Sequence, residues 1–111
     1  MMTLLLMYVV FGLLLIGLAI PMMRDKVPPN AWYGFRVPST RSNPTVWYKA
    51  NRYAGRWLLV TGIVTVAAAI VFYFVPGLSV DNYAWLVLAA FGVPFVLMIA
   101  ASFRYLRGLP K

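Results

Sequence analysis

Three long apolar runs, separated by two polar stretches of unlike character, make up this chain. The first runs from about Thr3 to Met23, carries no charge and stops at Arg24-Asp25-Lys26. The second runs from about Trp57 to Val75 and stops at Pro76-Gly77. The third runs from about Tyr83 to Phe103 and stops before Arg104. A helix crosses a hydrocarbon core of about 30 Å with about 20 residues. Lipid offers a backbone N–H or C=O no partner, so each run is expected to be a transmembrane helix. The first run lacks the basic flank of a signal peptide and is long for one, so it reads as an uncleaved span. The expected fold is therefore all-α and integral to the membrane. It is one domain, residues 1–111, with spans at about 3–23, 57–75 and 83–103 and a polar cap at 24–56.

The periodicity changes just before the second span. Asn43-Pro44 reads as an N-cap followed by the first residue of a helix that can run to Gly55 and on into the second span. At 100° per residue, Lys49, Arg52 and Arg56 share a narrow arc, while Val46, Trp47, Ala50, Tyr53, Ala54 and Trp57 fill the opposite side. This pattern predicts an amphipathic interfacial helix whose cations meet anionic lipid headgroups. Ahead of it, Pro28-Pro29 is expected to stop the first helix.

Within the spans almost nothing ionises. Thr61 and Thr65 share a face of the second span, where a hydroxyl bonds back to the carbonyl one turn earlier or across to a neighbouring helix. Gly62, Gly12 and Gly17 are expected to admit a neighbouring helix closely. Pro94 is expected to kink the third span.

Charge orients the spans. Seven cations, Arg24, Lys26, Arg36, Arg41, Lys49, Arg52 and Arg56, lie between the first two spans. Arg104, Arg107 and Lys111 follow the third, and residues 76–82 carry no cation. The positive-inside rule puts the long loop and the C-terminus in the cytoplasm, and the N-terminus and the short connector outside. A net charge of +8 in a chain that is 63% hydrophobic reports topology and lipid contact, so nucleic acid is not an expected partner. With no Cys, no His and only Asp25 and Asp81 as acids, there is no thiol chemistry, no metal set and no acid–base pair. The chain is not expected to be an enzyme or to carry a cofactor.

The loop has more chemistry than a connector needs. Pro29, Gly34 and Pro38 constrain its backbone, with Gly55 read as a further turn position. Trp32, Tyr33 and Phe35 surround Gly34, and Arg36 sits inside that turn. Asn30, Trp32, Tyr33, Arg36, Thr40, Trp47, Asn51 and Arg52 are the candidate ligand-binding residues. In the expected arrangement aromatic faces would shield Arg36, amides would meet its donors, and remaining N–H groups would face an anionic or amphipathic ligand. Asp25, the one carboxylate among these cations, is expected to pair with Arg36 or Arg52.

The order P-x-N, G-x-R-x-P-x-T, W-x-x-x-N and a final Gly resembles the signature of the SdpI family of bacterial membrane proteins. It is met here by Pro28 or Pro29 with Asn30, by Gly34, Arg36, Pro38 and Thr40, and by Trp47, Asn51 and Gly55. The family's namesake is longer, with further membrane segments ahead of this three-span unit. It is an immunity protein that protects its producer from a secreted toxic peptide and sequesters a transcriptional repressor at the membrane. The resemblance implies a multi-pass protein of the bacterial inner membrane, and a binding role toward a toxic peptide or a cytoplasmic regulator. A small accessory, scaffold or lipid-binding protein is the alternative, and self-association is compatible with either.

Overall fold

The computed structural model describes residues 1–28 and 43–108. Three helices run through them: α1 (Met2–Met23), α2 (Pro44–Tyr73) and α3 (Val80–Arg107). All three are long and apolar enough to cross a membrane, as expected from the three runs. They alternate in direction, and α2 is the middle helix, packed along both neighbours. The molecule is a rod of 53 × 23 × 18 Å, longer than the hydrocarbon layer of about 30 Å.

Local chemistry accounts for each helix boundary. The Asn43 side chain accepts from the N–H groups of Thr45 (3.0 Å) and Val46 (3.4 Å), and Pro44 opens α2 as expected. The Ser79 hydroxyl caps α3 by accepting from Asn82 N at 3.1 Å. Between α2 and α3, Gly77 turns at φ +77°, a conformation that favours a residue without Cβ. The end of α1 is set earlier than Pro28. Asp25 adopts φ +57°, and Lys26 N–H donates back to Pro21 O at 2.9 Å. That closure is the Schellman arrangement, with Asp where Gly is usual.

Three clusters hold α2 at its ends. At one end Ala69 packs with Tyr83 and Val87, against Leu4, Tyr8, Phe72 and Tyr73. There the Tyr83 hydroxyl donates to Ala69 O at 2.8 Å, and the Tyr8 hydroxyl donates to Ala84 O at 3.0 Å. Each phenol thereby meets a backbone carbonyl inside an apolar layer. At the other end, where the cations gather, Met22, Val27, Trp47 and Ala54 form one cluster and Val46, Ala50 and Leu106 a second.

Residues 44–57 are the first turns of an unbroken α2, which runs on into the second span as expected. Their apolar side, Val46, Trp47, Ala50 and Ala54, is at most 3% exposed. An interfacial helix would lay that side in the headgroups, whereas here the end of α1 and Leu106 of α3 cover it.

The glycines divide. A Cβ on Gly62 would stand 2.8 Å from Gly12 O, and one on Gly12 would stand 2.9 Å from Gly62 O. These two glycines let α1 and α2 touch backbone to backbone. Gly17, expected to do the same, has nothing within 4 Å of such a Cβ and faces outward. Thr61 and Thr65 are buried and bond back to Trp57 O (2.8 Å) and Thr61 O (2.7 Å), so their hydroxyls serve packing. Helix α3 continues through Pro94 unbroken.

Candidate functional site

The basic end of the bundle is built on Trp47. It is fully buried against Met22, Val27 and Ala54, and its indole N–H donates to Val27 O at 2.7 Å. One side chain from α2 thus fixes the segment that leaves α1. Asn51, one turn on and 1% exposed, donates from Nδ2 to Trp47 O at 2.9 Å. Both were candidate ligand contacts, and both are interior, so they shape the site from beneath.

Arg52 lies beside them on the surface. Its Nη2 donates to Asp25 Oδ2 at 2.6 Å and its Nε donates to Asp25 Oδ1 at 3.3 Å. Of the two arginines expected as partners for Asp25, the carboxylate takes Arg52 in a two-pronged pair. The left-handed turn at Asp25 directs this carboxylate across to α2, so the closure of α1 and the ion pair are one device. About 40% of each side chain stays exposed (41% and 37%), so water screens the pair, and it contributes orientation more than stability.

Gly55 was read as a turn residue, but it sits in mid-helix. A Cβ there would meet Met22 Cβ at 3.0 Å and Ala19 O at 3.1 Å. Its work is to bring the end of α1 against α2, where any side chain would force the helices apart. Asn30, Trp32, Tyr33, Arg36 and Thr40, with Pro29, Gly34 and Pro38, lie outside the described residues.

A feature not anticipated from sequence opens between α2 and α3 at the same end. It is a groove of about 610 Å³ lined by Tyr53 and Trp57 of α2 and by Leu97, Ala100, Ala101, Arg104, Tyr105 and Gly108. The Tyr53 and Tyr105 rings stack face to face, 4.2 Å apart and 5° from parallel. Arg104 is exposed at its rim. The sequence signal was Ala100-Ala101 one turn ahead of Arg104-Tyr105, small residues beneath a cation and a ring. Among the described residues no His, Cys, Asp or Glu cluster suits a metal ion.

Comparison with curated proteins finds no match, and comparison with solved structures finds none. A family model does match, over residues 26–102, which takes in the signature loop, all of α2 and most of α3. With that span, three membrane-crossing helices and Trp47, Asn51 and Gly55 built together into one end, the chain is a multi-pass membrane protein that belongs to the SdpI/YfhL protein family.

Proposed function

We propose that this protein is an SdpI-like membrane binding protein conferring immunity or resistance to a membrane-active peptide, with residues 24–56 as its binding or signalling element. The family match over residues 26–102 carries the reading, since it includes the whole signature loop. The frame under that loop supports it. Trp47 ties Val27, Arg52 ties Asp25, and Gly55 seats α1, so the 28–43 segment leaves from and returns to fixed points. A fixed frame lowers the ordering cost of binding. The distribution of cations supports a cytoplasmic cap in a bacterial inner membrane. The scarcity of acid–base groups supports binding over catalysis.

The test is deletion and complementation under challenge with membrane-active peptides. Deletion is expected to sensitise the cell and the wild-type chain to restore protection. Arg36→Lys is expected to fail nearly as fully as Arg36→Ala, because an ammonium does not reproduce the planar fork. Lys49→Gln and Arg56→Gln, both altering exposed residues, should protect almost normally. Unchanged sensitivity on deletion would instead favour an accessory or scaffold role, and wild-type protection by Arg36→Lys would remove the ligand site from the loop.

A further inference from the structure

The α2–α3 groove joins a charged mouth to an apolar track. At its mouth stand exposed Arg104 and the stacked Tyr53–Tyr105 pair. Its floor, Ala100 and Ala101, is too small to fill the space beside Trp57. Leu97 is shared with a second, shallow and wholly apolar channel of about 450 Å³ along the face of α3, lined by Ala89, Gly92, Val93 and Val96. A Cβ on Gly92 would meet nothing within 4 Å, so this channel is open to the surroundings. From Arg104 to Gly92 the helix rises about 18 Å at about 1.5 Å per residue. One leaflet of a hydrocarbon core of about 30 Å has nearly that depth.

We infer that this groove binds one anionic phospholipid, with its phosphate on Arg104 and an acyl chain laid from Leu97 toward Gly92. Charge complementarity selects the headgroup. Neither acidic side chain serves Arg104, since Asp25 is engaged by Arg52 and Asp81 lies in the first turn of α3, at the far end. Arg107, about one turn further on, lies outside the groove lining. A guanidinium offers paired donors that match a phosphate. The track selects the rest of the molecule. A free anion has no use for an apolar channel one leaflet deep. A peptide laid along it would leave its own N–H and C=O groups unpaired against an entirely apolar lining.

The experiment is native mass spectrometry of the full chain, released from detergent with equimolar phosphatidylglycerol and phosphatidylcholine of identical acyl chains. One phosphatidylglycerol is expected to stay bound in preference. Arg104→Gln should lower the ratio of the two retained lipids about fivefold, the worth of one cation at a membrane surface. Arg107→Gln, outside the groove lining, should leave the ratio near wild type. Ala101→Leu, which fills the floor without altering charge, should reduce retention of phosphatidylglycerol. Equal retention of the two lipids by the wild type would overturn the site. So would an unchanged ratio in Arg104→Gln, undiminished binding by Ala101→Leu, or displacement of the lipid by excess inorganic phosphate.

Discussion

Gly62 and Gly17 show how much one missing Cβ decides in a bundle this thin. At Gly62 a methyl group would press on Gly12 O at 2.8 Å and Ile16 Cγ1 at 2.8 Å, and the backbone contact cannot swing aside. At Gly17 a methyl group would meet open space. Gly62→Ala is therefore expected to cost about 1–3 kcal/mol, the usual penalty for overpacking. Gly17→Ala should stay within about 0.5 kcal/mol of wild type. Reversible unfolding in mixed micelles measures both, and equal effects would show that the helices do not approach as described. Gly17 lies in the first apolar run and Gly62 in the second, and nothing local to either marks it as inward or outward.

Between elements, the junction of α1 and α2 depends on a buried hydrogen bond more than on the ion pair beside it. Trp47→Phe keeps most of the apolar contact but leaves Val27 O without its donor in a site only 8% exposed. The expected loss is about 1–3 kcal/mol, the cost of stranding a buried polar group. The loss should also be local. Trypsin should cleave after the exposed Lys26 faster in Trp47→Phe than in wild type, because Val27 is no longer pinned. Asp25→Asn, which breaks a solvent-screened pair, should cost less stability and accelerate cleavage less. If Asp25→Asn exceeds Trp47→Phe in both measures, the ion pair is the chief fastening.

At the scale of the whole molecule, the distribution of charge predicts which way the rod stands in the bilayer. Among the described residues every Lys and Arg lies toward the end shared by Asn43 and Arg107, and the connector at residues 76–82 carries no cation. The chain has no cysteine, so single cysteines report cleanly. Thr45→Cys and Ser79→Cys, both at exposed positions, should label from opposite faces of the membrane, Ser79→Cys from outside in intact cells. Labelling of Thr45→Cys by an impermeant reagent in intact cells would reverse the orientation, and with it the cytoplasmic assignment of the cap and of the lipid groove.

The amino-acid order alone determined the three helices, the Asn43 cap of α2 and the family. These are local properties. Lipid obliges each long apolar run to pair its own backbone, Asn43-Pro44 starts a helix wherever it lies, and the signature is a spacing along the chain. Only the tertiary structure decided that the apolar side of residues 44–57 is covered by protein, that Gly12 and Gly62 meet while Gly17 faces outward, and that Asp25 takes Arg52. The groove at Arg104 belongs with these. Each depends on how a helix is rotated about its axis and how far it is shifted along its neighbour. In water, hydrophobic periodicity reveals that rotation. In a bilayer an apolar side chain is equally content against lipid or protein, so small residues and polar pairs set the rotation, and their partners are known only once the helices are side by side.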